Sequence, residues 1–85
     1  WIDFKNQFTT AYPNFLENLI INQPNISHGE MRMACMIRLN LTTSQMAEMT
    51  GVSHDSIKKS LLRFKKKLNF KSQADLVDFI FSLPI

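Results

Sequence analysis

The chain has 85 residues, a size expected to form one domain, and 45% of them are hydrophobic, which is enough to build a core. Its single cysteine excludes an internal disulfide and a cysteine-based metal cluster, and no apolar run reaches the roughly 18 residues that a membrane span needs. The net charge of +3 is unevenly distributed, since residues 42–71 carry +5, residues 1–41 are neutral and residues 72–85 carry −2. A basic cluster of this kind attracts polyanions.

Two helices are predicted in the first part of the chain. Apolar residues recur at helical spacing over residues 2–12, and Pro13 should end this helix, because proline disfavours the helical conformation in the residue before it. A second, short helix is expected to start at Pro13 or Asn14, since proline suits a first turn. Residues 22–25 read Asn-Gln-Pro-Asn, which predicts a loop. Residues 1–25 are therefore interpreted as an N-terminal helical extension.

A capping box predicts where the third helix begins. Ser27 is followed three residues later by Glu30, a spacing at which side chains and backbone amides bond reciprocally at a helix start. Apolar residues then continue at helical spacing to about Leu39. Asn40 is a suitable left-handed stop, because asparagine tolerates that conformation better than most residues.

A second capping box and a glycine predict a short helix followed by a tight turn. Thr42 and Gln45 form the box, and the helix is expected over about residues 43–49. Gly51 supplies at little cost the positive φ that the turn needs. Val52, the next residue, is expected to pack back into the core.

The basic cluster lies on a long amphipathic helix after this turn. Ser53 is suited to be its N-cap, because a serine hydroxyl accepts hydrogen bonds from the free amides of the first turn. Four apolar residues recur at steps of four, three and four and predict one buried face, namely Ile57, Leu61, Phe64 and Leu68. The far side carries Lys59, Leu62, Arg63 and Lys66, and Lys58 and Lys65 lie on one flank. Five lysines and one arginine within residues 58–67 are more positive charge than solubility requires.

A last helix is predicted over residues 73–82, opened by Ser72 and Asp75. No stretch shows the alternation of a β-strand, so the chain is predicted to be a small all-α domain of about six helices. A short helix, a glycine turn and a longer basic helix form a helix-turn-helix pattern at its centre. In this pattern the first helix and the turn brace the second, whose free face fits a groove one helix wide.

Several short motifs resemble the LuxR/GerE-type DNA-binding domain, whose pattern reads roughly L-T-x-x-E … L-S-x-x-E-I-A … I-S-x-x-T-V-K … K-L. The matching runs here are Ile26-Ser27-x-x-Glu30, Leu41-Thr42-Thr43-Ser44-Gln45-Met46-Ala47, Gly51-Val52-Ser53-x-x-Ser56-Ile57-Lys58 and Lys67-Leu68. The N-terminal part is similar to a variant in which Trp-x-x-Phe and Pro-x-Phe helices precede the module and Arg-Leu-Asn-Leu replaces a glycine turn. The resemblance assigns residues 26–85 to the helix-turn-helix domain, in one compact unit with the extension.

The resemblance implies which residues contact DNA. Base-edge and groove contacts would come from Lys58, Lys59 and Leu62, and phosphate contacts from Ser53, Ser56, Arg63 and Lys66. The chain departs from the family pattern at Ser60, where histidine is common, and at Leu61, where the variant often has arginine. Leu62 replaces a polar reader. This leucine suits either a thymine methyl group or a partner protein.

The sequence therefore predicts a sequence-specific double-stranded DNA-binding domain that serves as the output of a bacterial transcriptional regulator. By resemblance, such a domain lies behind an upstream sensory region, in the cytoplasm or as the cytoplasmic part of a membrane-anchored regulator. A homodimer is expected on DNA, through Val77 and Phe81 of the last helix or, as second choice, through Trp1 and the first helix. RNA polymerase is a possible further partner. Two alternatives stay open, a protein-binding module with a degenerate helix-turn-helix and a promoter reader like region four of sigma factors.

No enzymatic activity, metal or cofactor is predicted. Cys35 is interpreted as a buried core thiol, since no histidine is placed to activate it. His28 and His54 are isolated and expected at the surface, because they lack the spacing of zinc ligands. Glu30 is assigned to a helix cap, so no acid, base and nucleophile are expected to come together.

Overall fold

The structure, a computed structural model, describes residues 2–85 and contains six α-helices. Their bounds are α1 Ile2–Ala11, α2 Phe15–Asn22, α3 His28–Arg38, α4 Thr43–Thr50, α5 His54–Lys67 and α6 Gln73–Ser82. There is no strand within this range, so the all-α prediction is confirmed. The first two helices are shorter than predicted at the proline, because α1 ends two residues before Pro13 and α2 begins two residues after it. The predictions made for Trp1 concern a residue outside the described range.

Both predicted capping boxes are formed. The backbone N–H of Ser27 donates to Glu30 Oε1 at 2.8 Å, and the N–H of Glu30 donates to Ser27 Oγ at 3.2 Å. At the start of α4, the corresponding bonds between Thr42 and Gln45 measure 2.7 and 3.1 Å. Each box satisfies an amide in a helix first turn that has no partner inside the helix, which is why both helices begin where the local sequence predicts.

Three residues adopt the left-handed backbone conformation, two of them just after helices and the third in the turn between α4 and α5. Asn40 after α3 has φ of 59°, as predicted, and Asn69 after α5 has φ of 63°. Gly51 after α4 has φ of 74°, and its N–H donates to the Ala47 carbonyl at 2.9 Å. These residues let the chain change direction within connections of three to five residues, and α5 packs against both the helix before it and the helix after it.

A single hydrophobic cluster contains residues of all six helices. α3 is its centre and contributes six buried residues, Met31, Met33, Ala34, Cys35, Met36 and Ile37. α6 packs against α3, and α5 packs against both α4 and α6. The N-terminal extension belongs to the same cluster through Phe8, Phe15, Leu16 and Leu19. The radius of gyration of 12.1 Å is close to the roughly 12 Å expected of a folded chain of this length.

The extension is also joined to the C-terminal end of the chain. The guanidinium of Arg38 lies 5.1 Å from the ring centroid of Tyr12 and 4.7 Å from that of Phe81, so one cation contacts two aromatic rings. The N–H of Asn14 donates to the carbonyl of Ile85 at 3.1 Å. α6 is therefore held against the extension as well as against α3.

The prediction that Val52 packs into the core is wrong, since this side chain is 46% exposed. Met46 and Ile57, on either side of the turn, are each 3% exposed and fill the interior beneath it. Only three residues, Gly51, Val52 and the extended cap residue Ser53, connect α4 to α5, and this short connection leaves Val52 at the surface.

None of the helices in residues 2–85 has both the length and the apolar character required to cross a membrane.

Candidate nucleic-acid interface

α4, the turn and α5 form the predicted helix-turn-helix. Ser53 has an extended backbone, with φ of −68° and ψ of 157°, and its side chain accepts from the backbone N–H of Ser56. This N-cap fixes the first residue of α5, and Gly51 fixes the last residue of α4. The two helices pack directly against each other, so the orientation of α5 depends on α4 and on the turn between them.

α5 has a buried face that anchors it. Ile57 and Phe64 are 3% and 1% exposed, and Leu61 and Leu68 are half-buried against the core. These are the four residues that the apolar spacing predicted for this face. Because two turns separate Ile57 from Phe64, the helix is held along most of its length and cannot turn about its own axis without exposing large apolar side chains.

All seven residues predicted to contact DNA are exposed, and they lie on α5 or at its N-cap. They are Ser53, Ser56, Lys58, Lys59, Leu62, Arg63 and Lys66. Lys59, Leu62 and Lys66 share the face opposite the core, and Lys58 lies beside them. Asp55 in the first turn is the acidic residue on that face and suits the positive end of the helix dipole.

The two predicted serines are bonded to each other. Ser53 Oγ accepts from the Ser56 N–H at 3.1 Å and donates to Ser56 Oγ at 2.9 Å. A hydroxyl proton rotates to suit its acceptor, so either serine can donate within this pair while the other hydroxyl proton stays available to an incoming acceptor. One of the two hydroxyls is therefore available for a phosphate contact.

Arg63 lies at the edge of the outer face. Its Nη2 donates to Ser60 Oγ at 3.3 Å, which draws the guanidinium toward the side of α5 that faces the start of α3. Arg63 as a whole is exposed. Arg63 is therefore placed at the flank, where a phosphate would lie, rather than at the centre of the outer face.

Lys67 has a structural role that the sequence did not reveal. Its Nζ donates to Glu30 Oε1 at 2.6 Å and to the Asn25 carbonyl at 2.9 Å, so it ties the end of α5 to the start of α3. Its position on the flank of α5 was visible in the helical spacing, but its partners are 37 and 42 residues away in the chain. Lys67 therefore differs from the cations of α5 that form no ion pair, because its ammonium group is already bonded within the protein.

The same contact changes the acidity of Glu30. Partial burial raises the pKa of Glu30, but the hydrogen bonds from Lys67 and Ser27 outweigh it, so this pKa lies below its ordinary value of 4.5. A carboxylate with a lowered pKa in the folded state stabilises the fold above the unfolded-state pKa. This stabilisation is lost as the pH falls through the folded-state pKa.

Glu30→Gln should therefore lower the free energy of unfolding by about 1 kcal/mol or less near neutral pH, since this ion pair is partly exposed. Glutamine should still close the capping box, as Gln45 does for α4. Urea unfolding followed by circular dichroism measures the difference from wild type, which should shrink toward zero as the pH falls below 4.5, the ordinary pKa of a glutamate, and through the lower folded-state pKa. In Lys67→Gln, the further change Glu30→Gln should cost less than in wild type. A difference that stays constant with pH would contradict the assignment.

Other reactive side chains lie apart from this surface. Burial raises the pKa of the Cys35 thiol to about 12, so it stays protonated and unreactive, as a core thiol should. His28 and His54 are exposed, each in the first turn of a helix. In the part of the chain that the structure describes, no three His, Cys, Asp or Glu residues converge to hold a metal ion.

Comparison with models of known protein families, with curated proteins and with solved structures finds no match to this chain.

Proposed function

We propose that this domain binds double-stranded DNA through the outer face of α5, as the output domain of a bacterial transcriptional regulator. The observation that carries the proposal is the separation of anchoring and charge on this one helix. Five cations of α5 form no ion pair with any residue from 2 to 85, namely Lys58, Lys59, Arg63, Lys65 and Lys66. The one ion pair of α5, made by Lys67, lies outside this set.

The dimensions of the helix suit this role. The 14 residues of α5 correspond to a length of about 21 Å, and a helix with side chains is about 10–12 Å wide. The major groove of B-DNA is about 12 Å wide and admits one helix. Cations at the flanks would then approach the phosphates, and side chains at the centre would approach the base edges.

The rest of the proposed role follows from the resemblance to LuxR/GerE-type domains. A single helix contacts few base pairs, so a homodimer on a repeated site is expected. α6 offers Phe81, which is 41% exposed even with Arg38 on its ring, and Val77 beside it is half-buried. By the same resemblance, we extend the proposal to a cytoplasmic domain under the control of an upstream sensory region, with RNA polymerase as a further partner.

A binding isotherm at two salt concentrations tests this function. If the three free cations not assigned to base edges, Arg63, Lys65 and Lys66, neutralise phosphates, the logarithm of the affinity should fall with a slope of about −2.7 against the logarithm of salt concentration. Fluorescence anisotropy with a 30-base-pair duplex of mixed sequence should then show a loss of roughly 40-fold between 50 and 200 mM salt. Binding that does not weaken with salt would refute the groove proposal.

A protein-binding module is the second candidate, because exposed apolar side chains lie along the helix-turn-helix. Met49, Val52 and Leu62 are 50%, 46% and 44% exposed. Under this alternative the domain would capture a partner protein and ignore duplex DNA. The sigma-like alternative requires binding to core RNA polymerase, which a pull-down with purified polymerase would detect.

A further inference from the structure

Leu62 is an apolar side chain set among cations at the centre of the exposed face of α5. It is 44% exposed. Its neighbours one helical turn away on either side are all lysines, Lys58 and Lys59 before it and Lys65 and Lys66 after it. A partner that covers Leu62 must therefore accept an aliphatic group and, within a few ångströms, several ammonium groups.

Two simpler surfaces lack this combination. An apolar protein groove would strip water from the lysines without pairing them, which is costly. A bare phosphate surface pairs the lysines but has nothing apolar to receive a leucine. The major groove of DNA has both, because phosphates line its walls and the C5-methyl group of thymine projects from its floor.

We propose that Leu62 contacts a thymine methyl group, so that the duplexes this chain prefers carry thymine where Leu62 meets the base edges. This inference rests on the proposed DNA-binding function and deepens it. Leucine has no donor or acceptor, so a purine edge in the same place would lose its water without gaining a hydrogen bond. Discrimination at this position therefore comes from the methyl group together with the penalty against polar edges.

The lysines beside Leu62 strengthen the preference. Thymine presents its O4 acceptor next to the methyl group. Lys58 and Lys59 both precede Leu62 by about one turn and are exposed, so either can donate to O4 or to an acceptor on a neighbouring guanine. The leucine and these lysines would thus read adjacent positions on the groove floor.

The test starts from duplexes enriched by selection from a random-sequence pool with the wild-type chain. Each thymine of an enriched duplex is then replaced by deoxyuridine, which removes the methyl group and keeps O4 and the base pair. We expect affinity to fall roughly threefold to fivefold at one or two positions in each half-site. In Leu62→Ala the same replacements should have no effect. In Ile21→Ala, which removes an aliphatic side chain that is 67% exposed on α2, they should act as in wild type.

The outcomes separate this inference from the function beneath it. Salt-dependent binding of duplexes that tolerate deoxyuridine everywhere overturns the thymine contact and leaves DNA binding standing. Sensitivity to deoxyuridine that persists unchanged in Leu62→Ala assigns the methyl contact to another side chain and also overturns it. If the selection enriches no duplex, both the inference and the proposed function fail.

Discussion

Reversing the charges of Lys59 and Lys66 together should weaken binding to duplex DNA by roughly 100-fold or more at physiological salt. Both side chains are exposed on the face of α5 opposite the core, seven residues or about 10 Å apart along the helix axis. Each reversal removes an attraction to the DNA, at the base edges for Lys59 and at a phosphate for Lys66, and adds a repulsion, so each alone should cost about tenfold. Anisotropy titrations at constant salt measure both the singles and the double.

The fold should survive these changes. Lys59 and Lys66 form no ion pair with any residue from 2 to 85. The glutamate introduced at 59 would face Asp55 one turn away, and the one introduced at 66 would oppose the helix dipole, which together cost about 1 kcal/mol. Lys5→Glu on α1 is the matched control, because it and each single reversal lower the net charge from +3 to +1. Equal loss of binding in the control would trace the effect to net charge rather than to α5.

Helix boundaries were predictable wherever the signal is local. In the capping boxes Ser27–Glu30 and Thr42–Gln45, the two partners lie within one helical turn, so both can be recognised from a short stretch of sequence. The last helix was predicted over residues 73–82 and is found there. Gly51 likewise needs only its own backbone to make the turn.

Contacts between distant segments were not predictable in the same way. Lys67 contacts Glu30 across 37 residues of the chain. Arg38 on α3 contacts Tyr12, which follows α1, and Phe81 on α6. No spacing rule links such residues, because their proximity depends on how the helices pack. The failure at Val52 has the same origin, since its hydrophobicity is visible in the sequence but the space beneath the turn is not.

The candidate site falls between these cases. Helical spacing predicts which side of α5 is free, and the exposure of all seven predicted residues agrees with it. Spacing does not show that Ser53 and Ser56 share a hydrogen bond or that Arg63 turns toward Ser60, because each depends on a side-chain rotamer. Helical spacing thus predicts which side of α5 is exposed, whereas the hydrogen bonds among the side chains on that side depend on rotamers that spacing does not specify.

Phe64→Ala should lower the free energy of unfolding by about 3–5 kcal/mol. Phe64 is 1% exposed and is one of the largest fully buried side chains of the described core. Its loss removes a large apolar group and leaves a cavity beneath α5 that the helices around it fill only partly. A domain of this size has an unfolding free energy of only about 4–13 kcal/mol, so this one substitution should remove a large part of it. Urea unfolding followed by circular dichroism gives the value directly.

Leu62→Ala is the matched control, since residue 62 lies two positions from Phe64 on the same helix and on its opposite side. It should shift the unfolding free energy by no more than about 0.5 kcal/mol, because a half-exposed leucine leaves no cavity. Phe64→Ala should weaken DNA binding only because it lowers the fraction of folded protein. Binding should therefore recover under conditions in which this variant is fully folded. Leu62→Ala should change duplex preference at full stability. If Leu62→Ala proved as destabilising as Phe64→Ala, the division of α5 into an anchoring face and a contacting face would be refuted.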